Sequence, residues 1–189
     1  MEEGMIPTRE QAESLWRTYN DDAALWRHAL AVEATMRHFA GLFGEDPDLW
    51  GVVGLLHDID YQRYPDQHCK VVRGLLQKEG IDELIIRAIE SHGWGICTDV
   101  EPQSLLEKTL YAVDELTGFV AACALVRPSR SVMDLEVSSV KKKWKTTAFA
   151  AGVNRQVIEK GAERLGMPLD QLIQETILAM RKVAPAIGL

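Results

Sequence analysis

Residues 47–60 read P-D-L-W-G-V-V-G-L-L-H-D-I-D. Pro47 suits the first position of a helix, where its missing N–H costs nothing. Leu49, Val52, Val53, Leu56 and His57 then fall on one i, i+3, i+4, i+7 stripe, so the segment is helical and His57 points into the core where the helix ends. Asp58 follows at the C-terminus of that helix. A carboxylate there faces the negative end of the helix dipole in a partly buried position, which is unfavourable unless a cation stands nearby. A metal ion would supply it.

The same pattern continues outward in both directions. Helices are expected over residues 8–18, from Asp21 or Asp22 to Phe43, from Pro47 to about Asp58, and over 66–78, 82–91 and 104–126. Three more are expected over 134–145, 154–165 and 169–184. Glycine, proline and aspartate punctuate them, and no alternating run is long enough to build a sheet. The fold class is therefore all-α, a helical bundle in one domain over residues 1–189, without repeat or linker.

A chain of 189 residues is long enough to bury a core without staples. Its net charge of −7 argues against a nucleic-acid partner. No apolar run reaches the roughly 18 residues of a membrane span, and M-E-E-G-M-I-P-T-R-E has no export-signal character, so a cytoplasmic location and no membrane partner are expected. Cys69, Cys97 and Cys123 are odd in number and form no C-x-x-C pair, and are expected to be free thiols. The apolar face of the last helix, Leu172, Ile173, Ile177 and Met180, can pack on the core or on a second copy in a homodimer.

Across the helices the order His28, His57-Asp58, His68, His92, Asp114 reads as the ligand set of a metal site. His28 shares a face with Leu25, Val32, Thr35 and Phe39, and can approach His57 if the two helices pack antiparallel. Asp114 lies in phase with Leu110, Thr117 and Ala121, opposite the polar side carrying Lys108 and Glu115, and no Arg or Lys is spaced to pair with it. His68 is expected in the first turn of the fourth helix and His92 at the end of the fifth. His38 lies about 15 Å along the axis from His28 and cannot share its metal.

With H, then H-D, then a distant D on successive helices, and with the strings H-A-L-A-V-E, G-L-L-H-D-I-D and A-V-D-E-L, the chain resembles the HD-domain superfamily of metal-dependent phosphohydrolases over most of residues 20–130. That resemblance implies an HD-type core over about 20–130 with a C-terminal helical extension over about 131–189. It implies His28, His57, Asp58 and Asp114 as ligands of a first metal. His68 and His92 match the two additional histidines of the binuclear subgroup, in which Asp58 would bridge two ions. Their separation of 24 residues is similar to that of HD-domain mixed-valent diiron oxygenases. Ile59-Asp60-Tyr61-Gln62-Arg63 after the dyad departs from the Gly-Tyr-Pro class of cyclic dinucleotide phosphodiesterases.

Mixed nitrogen and oxygen donors fit one or two ions of Fe, Mn, Co, Ni or Zn. Four neutral imidazoles and two carboxylates around two divalent ions leave a charge of about +2, suited to a small anionic phosphorylated substrate. The expected activity is hydrolysis of a small phosphate ester, a nucleotide among them, by a water whose pKa the metal lowers to about 7. The alternatives are a diiron oxygenase using the same six ligands and a non-catalytic, metal-stabilised binding or regulatory module. Asp58 would carry the bridging role, and Asp60 is expected as general base, as the acceptor that orients a ligand histidine, or as a loop carboxylate capping the turn. Arg127 and Lys143 are the candidate substrate anchors. Trp94 is a candidate wall of the pocket or a packed helix-end aromatic.

Overall fold

Along the chain the helical periodicity becomes α1 (Arg9–Tyr19), α2 (Ala23–Phe43), α3 (Pro47–Leu56), α4 (Val72–Lys78), α5 (Glu83–Ser91), α6 (Leu105–Leu125), α7 (Val137–Trp144), α8 (Arg155–Leu165), α9 (Leu169–Arg181) and α10 (Ala184–Ile187). The computed structural model describes residues 4–189. Residues 1–3, the start of the segment read for an export signal, lie outside the described residues. Among the described residues there is no strand beyond two isolated bridges, and the all-α expectation holds.

Local chemistry sets the helix ends. Thr8 and Gln11 form a capping box on α1, and Ser104 with Glu107 forms another on α6, each satisfying backbone donors that the first turn leaves open. The Asp22 carboxylate accepts the Leu25 N–H at 2.7 Å at the start of α2, and Gly44 closes that helix at φ 73°, a left-handed conformation that glycine adopts without a Cβ penalty.

α3 is the centre of the bundle. Every residue from Trp50 to Leu56 is buried, so the stripe expected from the sequence is in fact apolar on all sides, as a helix surrounded by others must be. The α2–α3 pair is antiparallel, because contacts run in opposite senses along the two helices. Phe43 meets Trp50, with ring centroids 6.1 Å apart. A Cβ on Gly51 would lie 2.5 Å from Arg37 Nε, and one on Gly54 would lie 3.0 Å from the Cα of Glu33. His28 meets His57 at the far end. Two glycines three residues apart thus let the helices approach closely.

The remaining helices complete the shell. α6 lies against α2, α8 and α9, and α5 bridges α3 and α6. One contiguous core runs from Ala12 to Ile187 and includes Leu172, Ile173, Ile177 and Met180. The apolar face of α9 is therefore covered by its own chain. No helix of the described residues is long and apolar enough to cross a membrane.

Three expected boundaries differ. The segment expected as one helix over 66–78 is a 3-10 turn at Pro65–Gln67 followed by α4 from Val72, because Cys69 takes φ 65°, which no helix can include. The helix expected from Asp134 is α7, which begins at Val137; the Asp134 carboxylate instead accepts from Arg127 and Ser129. The last expected helix is split after Arg181, and Pro185 sits in the short α10, where it removes a backbone donor from any continuous helix.

Candidate metal centre

His28 from α2, the His57-Asp58 dyad at the end of α3, and Asp114 from α6 converge at one point. His28 Nε2 lies 3.2 Å from His57 Nε2 and 3.0 Å from Asp114 Oδ1. His57 Nε2 lies 3.2 Å from both Asp114 Oδ1 and Asp58 Oδ2, and His28 Nε2 lies 3.6 Å from Asp58 Oδ2. Metal bonds of about 2.0–2.2 Å place neighbouring donors roughly 3–3.5 Å apart. Four of the five separations fall in that range, and the fifth, His28 to Asp58, lies just beyond it.

A second group meets the other oxygen of Asp58. His68 Nε2 is 3.4 Å and His92 Nε2 is 3.5 Å from Asp58 Oδ1, and the two imidazole nitrogens are 3.2 Å apart. His92 arrives as the C-cap of α5. His68 arrives from the turn before α4, next to the left-handed backbone of Cys69.

The imidazoles are oriented from behind. His57 Nδ1 donates to the Gly54 carbonyl at 2.7 Å, His68 Nδ1 donates to Asp60 Oδ1 at 2.8 Å, and His92 Nδ1 donates to the Ile89 carbonyl. With the proton held on Nδ1, each Nε2 presents a lone pair to the centre. His68 and His92 then aim lone pairs at each other, an arrangement that calls for a cation between them. The donor set therefore fits a divalent transition metal.

Charge is concentrated here. Burial opposes ionisation of His57, yet the carboxylates of Asp58 and Asp114 outweigh it and hold the imidazole pKa well above its ordinary value. His92 is displaced in the same direction, burial again being overcome, by its hydrogen bond with Asp58 and the charge of Asp114. Burial works to raise Asp58 and Asp114, but the adjacent imidazoles hold both well below the usual carboxylate range. Opposing groups so closely matched concentrate at functional sites.

Asp60 is fully buried. Its Oδ1 takes the His68 Nδ1–H and its Oδ2 takes the Cys69 N–H at 2.8 Å. Among the expected roles, this geometry favours the acceptor that orients His68, combined with capping of the turn through the Cys69 N–H, over a general base in contact with substrate.

A cavity of about 790 Å3 opens over the centre, with Asp58, His28, His68, His92 and Asp114 in its floor. Tyr61, Gln62, Ile96, Val153 and Glu115 are among its walls. Arg127 and Lys143 are not among its lining residues. Arg127 is held by Asp134 at 3.0 Å, and the Lys143 ammonium lies over the Phe149 ring at 5.0 Å. Trp94 also lies off the cavity, packed against Tyr111 with Lys160 3.7 Å from its ring centroid. His38 sits away from the centre, paired with Glu175 at 2.7 Å, as its axial distance implied.

Sequence reasoning missed Glu115, which it placed on a polar outer side. In the fold that side is covered by the chain entering α8: Glu115 Oε2 accepts the Asn154 N–H at 3.1 Å, and burial, then the neighbouring Asp114, raises its carboxyl pKa. Also missed was the proximity of Cys69 and Cys97, whose sulfurs lie 2.8 Å apart beside His92. A spacing of 28 residues carries no motif.

Residues 25–118, about half of the chain, match the family model described as HD domain. Neither the curated proteins nor the solved structures contain a match to the chain. The matched span begins just before His28 and ends just after Asp114, so it encloses all six converging residues. The chain carries an HD domain over residues 25–118, followed by further C-terminal helices.

Proposed function

We propose that this protein is a metal-dependent phosphohydrolase that cleaves a small phosphate monoester, a nucleoside monophosphate among the candidates, and that its centre takes two ions. The observation that carries the proposal is the Asp58 carboxylate, whose Oδ2 faces His28 and His57 while its Oδ1 faces His68 and His92. A single carboxylate shared between two imidazole pairs is the arrangement expected of a bridge between two cations.

Bound divalent ions would supply positive charge for the phosphoryl oxygens and lower the pKa of an attacking water. The chain's own residues do the rest. His57 and His92, buried and locked by backbone carbonyls, hold the floor rigid. Asp60 orients His68. Leu25, Ile96 and Val153 give the cavity apolar walls that exclude bulk water from part of it.

Support for a single phosphoryl group comes from the walls. No described residue lining the cavity is Lys or Arg, whereas Asp22 and Glu115 are carboxylates. A polyphosphate would leave charge facing carboxylates with no cation to meet it, while a monoester places its one dianion on the metal floor and leaves hydroxyl or amine donors for Glu115.

The test is anaerobic phosphate release from a panel of phosphate monoesters by protein loaded in turn with Mn, Co, Ni or Fe. Release that His57→Ala abolishes supports the proposal. Oxygen consumption dependent on iron, with no phosphate released, moves the same cage to the oxygenase chemistry. Tight ligand binding with neither activity points to a regulatory module.

A further inference from the structure

Cys69 and Cys97 come together from the turn before α4 and the loop after α5. Their Sγ atoms lie 2.8 Å apart, closer than non-bonded sulfurs sit and within easy reach of a disulfide bond of about 2.05 Å. Three features suit this pairing. Cys69 adopts φ 65°, a backbone conformation that residues with a Cβ rarely take. Gly93 has no side chain exactly where one would collide with both sulfurs: a Cβ there would lie 2.2 Å from Cys97 Sγ and 2.7 Å from Cys69 Sγ. Cys97 lines the cavity, while Cys69 is only 3 % exposed behind it.

We propose that Cys69 and Cys97 form a reversible dithiol–disulfide site that responds to peroxides, and that closing it disturbs the His68 side of the metal centre. In the first step a peroxide entering the cavity oxidises Cys97 to its sulfenic acid, and the peroxide is reduced to an alcohol or to water. The Cys69 sulfur then displaces hydroxide from that sulfenic acid, which leaves as water with the Cys69 proton as the S–S bond forms. A cellular dithiol reverses the process, becoming oxidised as both thiols are restored.

The link to the cage is short. Cys69 follows His68 directly, its N–H donates to Asp60 Oδ2, and Asp60 Oδ1 accepts from His68 Nδ1. Cys69 Sγ also lies 3.9 Å from His92 Nε2. Drawing Cys69 toward Cys97 therefore pulls on the carboxylate that orients one ligand imidazole and on the chain that carries it.

The inference does not depend on hydrolysis, and its test reads thiols and metal rather than turnover. Metal-free and zinc-loaded full-length protein would be treated with hydrogen peroxide, quenched, and examined by thiol titration after denaturation and by peptide mass. The expected result is loss of two of the three thiols, a linked peptide pair containing Cys69 and Cys97 lighter than the reduced peptides by about 2 Da, and full reversal by dithiothreitol. Cys97→Ser should give no linked pair, and Cys69→Ser should leave Cys97 as a sulfenic acid trapped by dimedone. Circular dichroism of both variants checks that they fold. The oxidised protein should bind fewer equivalents of zinc than the reduced protein. Direct conversion of Cys97 to a sulfinic acid without linkage, linkage through Cys123, or retention of both thiols by the metal-free protein would overturn the dithiol assignment. Linkage with unchanged zinc binding would overturn the connection to His68.

Discussion

Replacing Asp60 with Asn alters a fully buried carboxylate while keeping its shape. The native carboxylate accepts two hydrogen bonds, from His68 Nδ1 and from the Cys69 amide, each at 2.8 Å. An asparagine side chain has one acceptor oxygen and one donor NH2: turned one way its NH2 faces the Cys69 N–H, and turned the other it meets His68 only if the imidazole moves its proton to Nε2, the atom that faces the centre. Leaving such a group unsatisfied costs about 1–3 kcal/mol of stability. The further consequence is for His68: with its Nδ1 partner lost or neutralised, the imidazole is less well oriented, and removing partners of this kind lowers metal affinity by roughly 10–100-fold, about 1.4–2.8 kcal/mol. Metal affinity should be read by competition with a chromophoric chelator, and stability by urea unfolding of the metal-free protein. Asp60→Asn should lose metal affinity by that factor and show a lower unfolding midpoint. If the variant kept full metal affinity and lost hydrolysis alone, Asp60 would be transferring a proton, and the positioning role argued from its burial would be wrong.

Other expectations address the cage, its control residue and the C-terminal helices. His57→Ala should abolish metal binding at the His28 side, while His38→Ala, whose imidazole pairs with Glu175 and Lys182, should leave metal content unchanged and cost about 1 kcal/mol of stability; metal analysis after purification separates the two. In the metal-free protein the His57 pKa is raised by Asp58 and Asp114 against burial, so its contribution to stability is present below the ordinary histidine pKa of about 6.5 and is lost as pH rises through the higher folded value. Melting temperatures of metal-free protein should therefore fall on the alkaline side, and metal affinity should rise with pH up to that folded value and then level, because the ion must displace the proton. A flat affinity profile across this range would contradict the charged state assigned to His57. Gly161→Ala on α8 would put a Cβ 2.5 Å from the Cα of Ala112 on α6. Overpacking of that kind should cost about 1–3 kcal/mol and lower the melting temperature by roughly 2–4 °C per kcal/mol, as calorimetry would show.

Much of the fold was legible because helices announce themselves locally. Asp22, Asp46, Ser104 and Asn154 each cap the helix that the sequence placed after them, and Gly44 and Gly166 each end one in the left-handed conformation. The helix missed at its start, α4, failed because Cys69 carries no signal of its positive φ: a cysteine in that conformation is imposed by its contacts, not by its own preference. The break after Arg181 was missed because Lys182, Val183 and Ala184 include no glycine or proline to signal it; Pro185 lies beyond the expected end and falls in the separate turn of α10.

For the site, residue type and helical phase were enough to single out His28, His57, Asp58 and Asp114 as candidate ligands, because an inward Asp58 or Asp114 without a local cation is hard to explain otherwise; His68 and His92 joined them through the family resemblance. Phase along one helix says nothing about which other helix covers it. That is why Glu115 passed for a solvent-facing residue until α8 was seen to approach it, and why Arg127 and Lys143, cations in sequence terms, were credited with a cavity they do not line. The bond from Asp60 to His68 and the meeting of Cys69 with Cys97 belong to the same class. The sequence by itself determined most of the helices, their apolar faces and the candidate ligand types, since these depend on interactions within a few residues. Only the tertiary structure decided which oxygens of Asp58 face which imidazoles, what lines the cavity and which thiols touch, because those depend on packing between segments tens of residues apart.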